Sequence, residues 1–303
     1  VVAFGDEEGS RFPLSMLGSR AMAGKAEGDV SQMRDRTGAT LHEAMRDAGL
    51  DVGRMGEARR NRQDIIAYLE AHIEQGPVLE HADAPLAAVS AIAGIQRFYI
   101  CVQGQAGHAG TVPLSMRHDA LAAACEMVLG IEALARAHVD DFVATVGKIE
   151  ARPGAVNVIP GSASLSVEIR SADAQCLERA FLQVMDLVGG IAGRRHVGWE
   201  VQDHQTFAPA PCDGRLVDLL RSGIRAEGMP EHVLVSGAGH DAMMMTDWVP
   251  TAMLFLRSPG GISHHPDESV IVADVQAAFA VMVNFITRLP EVLDISARQG
   301  TVV

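Results

Sequence analysis

Between residues 95 and 207 the apolar pattern switches repeatedly between a two-residue and a helical period, and this restricts the fold more than any other feature. Ile95 to Gly104 alternates, with Phe98, Ile100 and Val102 set against Arg97, Tyr99 and Cys101. Arg117 to His138 is an Ala- and Leu-rich amphipathic helix. Phe142 to Ile149 reads as a strand, the loop Arg152-Pro153-Gly154 follows, and Ser164 to Arg170 alternates again. Ala174 to Arg194 is helical and Val197 to Gln205 closes with a strand. The order β-α-β-β-α-β is the split βαβ arrangement of ferredoxin-like domains.

The flanking segments alternate strands with helices, as a layered α/β domain does. Tyr68 to Gln75 places Leu69, Ala71 and Ile73 on one face and Glu70, His72 and Glu74 on the other. Asp213 reads as the N-cap of a helix running to about Glu227. Val233–Val235 and Ala252–Leu256 read as buried strands, and Val272 to Leu289 as a final helix ended by Pro290. The expected architecture is α/β: a layered catalytic domain of residues 1–94 and 208–303, interrupted by a ferredoxin-like βαββαβ domain of residues 95–207.

A formal net charge of −13 argues against nucleic acid and anionic membrane surfaces as partners. No stretch approaches the ~18 unbroken apolar residues of a membrane span. Cys101, Cys125, Cys176 and Cys212 are widely spaced, which points to a reducing, cytoplasmic setting with thiols acting as small core residues.

Chemistry concentrates in a few islands rich in His, acidic residues and Gly. Asp6-Glu7-Glu8-Gly9 delivers two adjacent carboxylates into a loop. A hydrolytic metal site uses such a pair, one carboxylate on the metal and one beside its water, although adjacent loop acids taken alone are as readily solvated charge. His72 ends a strand on its polar face, placed either as a ligand or as a surface residue. His108 sits in a Gly/Ala-rich loop where backbone can approach closely, or in a plain turn. Ser263-His264-His265 follows a glycine turn, as a metal ligand can. Gly237 and Gly239 lie in a loop that reads as opening a helix, where backbone N–H groups could hold a carboxylate. Met243-Met244-Met245 reads as core filling. There is no GxSxG elbow and no nucleotide-binding P-loop.

In order and content, the segments AFGDEEGSRF, YLEAHIEQGPVLE, GQAGHAGTVPLSMRHDA, GAVNVIPG with SVEIRSAD, SGAGHDAMMM and GGISHHPDE resemble the allantoate amidohydrolase and N-carbamoyl-L-amino-acid hydrolase branch of the dinuclear-metal aminoacylase/carboxypeptidase superfamily. The resemblance implies hydrolysis of a ureido group on a small-molecule acid by a homodimer that associates through residues 95–207. It implies two divalent metal ions (Zn, Mn, Co or Ni) in the intact enzyme. Glu7 then matches the general base, Glu8 and His264 the ligands of one metal, and His72 a ligand of the other. His265 falls at a variable position. His108 matches a residue that crosses to the partner subunit's site and stabilises the oxyanion. Asn157 and Arg170 match residues that hold the substrate carboxylate, and Gln75 a residue lining the pocket.

The family's pattern also places a His-x-Asp ligand and a bridging Asp ahead of the Glu-Glu pair, where nothing precedes Val1. His138-Val139-Asp140 and His265-Pro266-Asp267 stand elsewhere and read as decoys. The expectation for this chain is therefore weak or absent metal binding and a sheet with an uncovered face or edge. Two other readings stand beside the leading one: a non-catalytic dimeric module that keeps a ligand pocket, and, within enzymes, an aminoacylase or dipeptidase.

Overall fold

A computed structural model describes residues 1–26 and 30–293. Its contacts divide the chain into two units, one of residues 1–92 with those from 210 onward, the other of residues 93–209.

The first unit opens with α1 (Leu17–Ala23) and α2 (Leu41–Asp47). Next come β1 (Tyr68–Ile73), the single turn α3 (Val78–His81) and β2 (Leu86–Ile92). The second unit contains β3 (Gly94–Gln103), β4 (Gly107–His108), α4 (Ala120–Ala137) and β5 (Val143–Arg152). It continues with β6 (Val158–Ile159), β7 (Ser162–Ser171), α5 (Ala174–Arg195) and β8 (Gly198–Phe207). The chain returns to the first unit with β9 (Ala210–Pro211), α6 (Gly214–Ala226), β10 (Val233–Ser236), β11 (Thr251–Leu256) and α7 (Val272–Val292).

In the second unit an antiparallel sheet runs β5-β7-β3-β8. Phe98, Ile100 and Val102 of β3 and Leu165, Val167 and Ile169 of β7 are buried with Met127, Ile131, Val184 and Val188 of the two helices. The period-two residues therefore meet the helical stripes in one core, as the alternation requires. Asp119 and Asp173 cap the helices by accepting from Ala122 N and Cys176 N at 3.0 and 2.7 Å. Arg117, expected inside the first helix, lies outside it in extended conformation because the Asp119 cap starts the helix later.

In the first unit the sheet runs β1-β11-β2-β10, with β9 beside β2. β1 is parallel to β11, β10 is parallel to β2, and β11 meets β2 antiparallel. One face packs on α6 and α7 through Leu86, Leu254, Leu220, Val281 and Phe285. The other buries Leu79, Val89, Met253 and Phe255. Asp213 caps α6, accepting from Arg215 N at 3.0 Å. β1 lies at the sheet edge, and Ala71, expected on an apolar face, is exposed there.

The last helix does not stop at Pro290 but carries it within its final turn. A proline so near the end removes a single backbone bond, so the helix continues two residues further, to Val292. The outer face of α7 exposes Val272, Val275, Phe279, Val283 and Ile286. The helix has the length and apolarity of a membrane span, but Ala278, Val281 and Phe285 on its inner face are core residues. The four thiols are free and none is fully buried; Cys125 is exposed, so the expected small-core role does not hold for it.

Candidate active site

Asp6, not the pair after it, shapes the first island. It takes a left-handed φ of 53°, and its carboxylate accepts from Ser10 Oγ, Arg11 N and Phe12 N at 3.0, 3.2 and 3.3 Å. Burial works to raise its pKa, but these hydrogen bonds prevail and hold it below the usual carboxylate range. Gly9 completes the turn at φ +64°, where an added Cβ would stand 3.0 Å from Phe12 O and Ser15 N. The turn leaves Glu7 and Glu8 in different surroundings. Burial, with repulsion from Asp241, Glu8 and Glu70 only partly offset by His72, pushes the Glu7 carboxyl up to about 7. Glu8 is more than half exposed, and its Oε1 stands 3.4 Å from His264 Nε2.

The parallel pairing of β1 with β11 brings the terminal island to the same sheet end as His72 and Gln75. Gln75 N donates to Ser258 Oγ and Gln75 Nε2 to Ser263 Oγ, both at 2.9 Å. Gln75 thus ties the residue before His264 to the end of β1. His265 turns to its own loop, accepting from Asp267 N at 3.2 Å. His72 Nδ1 lies 2.8 Å from Ile73 O. A carbonyl only accepts, so the neutral ring carries its proton on Nδ1 and keeps the Nε2 lone pair for a ligand.

Around His72 the structure assembles groups that the sequence reading passed over. The His240 ring lies 4.4 Å from that of His72 and is 1% exposed. Its Nε2 meets Ser236 Oγ at 2.6 Å, while its Nδ1 has no hydrogen-bond partner among the described residues. Burial, then His72, lowers its pKa to about 3, so the ring is neutral. Glu70 accepts from Tyr68 OH and Ala242 N, each at 2.8 Å. The carboxyls of Glu70 and Asp241 are both raised, chiefly by burial, and Asp241 Oδ1 has no hydrogen-bond partner among the described residues. Glu70 and His72 on one face of a strand were the available signal; nothing local to His240-Asp241 reveals that they complete the cluster.

The expected helix after Gly237 and Gly239 is a four-residue 3₁₀ turn, Asp241–Met244. This is too short for a strong dipole. Gly239 instead permits a close approach, since a Cβ there would fall 2.8 Å from Met16 Cε. Met245 is buried, in keeping with core filling.

The second unit carries the remaining candidates. β4 pairs with β6, setting His108 opposite Val158, and Ala109 N donates to Asn157 O at 3.0 Å. His108 and Asn157 therefore share one small ribbon beside the start of β7. Arg170 is far from it. Along β7, Ser162 and Arg170 stand near opposite ends of the strand, roughly 26 Å apart at ~3.3 Å per residue, which puts Arg170 at the opposite end of the sheet. Its Nε donates to Glu168 Oε1 at 2.7 Å. One copy of this unit does not bring Asn157 and Arg170 onto a single carboxylate.

Residues 1–288 match the profile of peptidase family M20/M25/M40. The chain belongs to this family. Within it the chain falls in the allantoate and N-carbamoyl-L-amino-acid amidohydrolase branch. It is 38% identical to a probable allantoate deiminase of Oryza sativa subsp. japonica, over 94% of this chain and 64% of the relative. It is 36% identical to an N-carbamoyl-L-amino acid amidohydrolase of Geobacillus stearothermophilus, over 96% of this chain and 71% of the relative. A solved hydantoinase/carbamoylase family amidase from Burkholderia multivorans superposes with TM-score 0.85 at 30% identity, covering 93% of this chain and 68% of that one. The chain spans about two thirds of the length of these relatives.

M20 hydrolases are generally metal-dependent. Against that requirement, Glu8 with His264 offers two donors of suitable chemistry and His72 a third with its lone pair free. Among the described residues, however, no group of three or more His, Cys, Asp or Glu side chains is arranged to hold a metal ion. The described residues do not by themselves complete a dinuclear centre.

Proposed function

We propose that the protein is an amidohydrolase of the ureido group, cleaving an N-carbamoyl amino acid or allantoate with release of ammonia and carbon dioxide. The observation that carries this reading is the Glu7/Glu8 pair: adjacent carboxylates, one half-buried and pushed up to about 7, the other exposed and facing His264. A carboxyl poised near neutrality suits a group that takes a proton from water and then gives it to the leaving nitrogen. For R–NH–CO–NH₂ the added water appears as R–NH₂, CO₂ and NH₃, so the proton taken at Glu7 returns to the departing nitrogen.

His108 donates from its ring to the developing oxyanion, and Asn157 and Arg170 bind the substrate carboxylate. Because His108 and Asn157 lie at one end of their sheet and Arg170 at the other, the reading includes a homodimer through residues 95–207. One subunit then supplies the first two residues to a site and the other supplies Arg170. Gln75 lines the pocket beside His264. A net charge of −13 favours a small-molecule substrate over nucleic acid or anionic membranes, and four free thiols suit the cytoplasm. Protein carrying the whole coding sequence, supplied with Mn, Co or Zn, should release ammonia from N-carbamoyl amino acids or allantoate. Silence across a ureido-acid panel would overturn the assignment.

Among the described residues no group of three or more His, Cys, Asp or Glu side chains is arranged to hold a metal ion, which supports a second reading for residues 1–303 taken alone: a dimeric module that keeps a ligand pocket without a working metal centre. Metal analysis after dialysis separates the two. We expect well under one equivalent of Zn or Mn retained by residues 1–303. Two tightly held equivalents would contradict the module reading.

A further inference from the structure

We propose that Arg117 is a positioning residue that sets the direction and tautomer of His108, an inference that rests on the oxyanion role given to His108 above. Arg117 Nε donates to Val112 O at 3.0 Å and its Nη2 to Ala109 O at 2.6 Å. These carbonyls stand on either side of the Gly110-Thr111 turn, so one planar guanidinium clamps both ends of the loop that carries His108. Lysine lacks the fork needed to make both bonds at once.

The clamp acts on the ring through one hydrogen bond. Gly110 N donates to His108 Nδ1 at 3.0 Å. A backbone N–H only donates, so Nδ1 must hold a lone pair and the neutral ring must carry its proton on Nε2. The ring itself is exposed and presents Nε2–H as a donor. The turn is held further by Thr111 N and Val112 N donating to His108 O at 3.4 and 3.2 Å. Both are long bonds, whereas the Arg117 to Ala109 bond is short and charge-assisted. Losing it frees the Gly110 N–H to swing away from Nδ1, and with it the restriction on the tautomer.

Arg117 also forms part of a cleft of about 540 Å³, together with Gln105, Thr111, Met116, His118 and Ile159. Both of its hydrogen bonds go to backbone carbonyls of the loop, so the group works through His108.

The test uses whole protein labelled with ¹⁵N-histidine, with His108→Gln identifying the His108 signal. In the wild type the long-range proton–nitrogen spectrum should show Nε2–H and an unprotonated Nδ1. In Arg117→Lys and Arg117→Met that signal should move toward a mixture of tautomers. In the same variants kcat for a ureido acid should fall on the order of tenfold to a hundredfold, with KM little changed and the smaller loss in Arg117→Lys. An unaltered His108 signal in folded Arg117→Met, or an equal loss in KM alone, would overturn the proposal. A wild type with no ureido hydrolysis but with the tautomer shift in the variants would sink the functional reading and leave the clamp standing.

Discussion

Glu7→Gln should abolish ureido hydrolysis and at the same time stabilise the fold at alkaline pH. Positioned general acid–base catalysis contributes about 10²–10⁴-fold in rate, and glutamine can neither take nor return the proton. The stability effect has the opposite sign and follows from linkage. Burial and the neighbouring Asp241, Glu8 and Glu70 raise the folded-state pKa from 4.5 to about 7. Below pH 4.5 the carboxyl is protonated in both states and the folded state bears no penalty. Between pH 4.5 and about 7 the unfolded chain releases the proton while the folded chain keeps it, so stability falls as pH rises. Above that window the penalty is complete. An uncharged glutamine removes it, and also relieves Asp241 and Glu70. Thermal melts without added metal should therefore show Glu7→Gln level with the wild type near pH 4.5 and clearly above it at pH 8. A variant equally shifted at both values would show that Glu7 is not the strained carboxyl.

Gly104→Ala should be the most destabilising single-methyl change in the second unit. A Cβ at Gly104 would fall 2.1 Å from His118 O and 3.0 Å from Ala120 N. Both are backbone atoms, so no rotamer change relieves the clash. The same carbonyl accepts from Gln105 N at 2.8 Å, and Gly104 N donates to Gly161 O at 2.8 Å. The residue therefore pins the root of the His108 loop between α4 and the start of β7. Overpacking of this kind costs about 1–3 kcal/mol, and a backbone clash belongs at or above the upper end. Gly193 of α5 is the control, since nothing lies within 4 Å of its added Cβ. Alanine there should be neutral or stabilising by up to ~1 kcal/mol. Urea denaturation of the two variants decides the matter; equal midpoints would refute the packing argument.

The parts of the fold legible in the sequence were those where one period governs one face. Phe98, Ile100 and Val102 had to point to a single side, and the helices on either side of Phe142 to Ile149 had to cover it. The Asp213 cap was legible for the same local reason. What was not legible depended on long-range pairing. Glu70 looked like an exposed strand acid, yet Tyr68 OH and the backbone of Ala242 hold it among buried carboxyls. His240-Asp241 looked like the opening of a helix and is instead the polar floor beside His72. Arg170 looked like a ready carboxylate fork, but the strand register places it away from Asn157 and beside Glu168. The distinction between Glu7 and Glu8 was available only by resemblance. The fold adds that the Asp6 turn leaves Glu7 half-buried and Glu8 exposed.

In the proposed function the bond broken belongs to a ureido group. The most direct measurement follows ¹³C placed at the carbamoyl carbon of an N-carbamoyl-L-dipeptide, in which a peptide bond lies on the carboxyl side of the carbamoylated residue. The protein with its full coding sequence and added metal should convert the label to bicarbonate with one equivalent of ammonia, leaving the peptide bond whole. Release of free amino acid with the label still in an intact carbamoyl group would mark a peptidase and contradict the account.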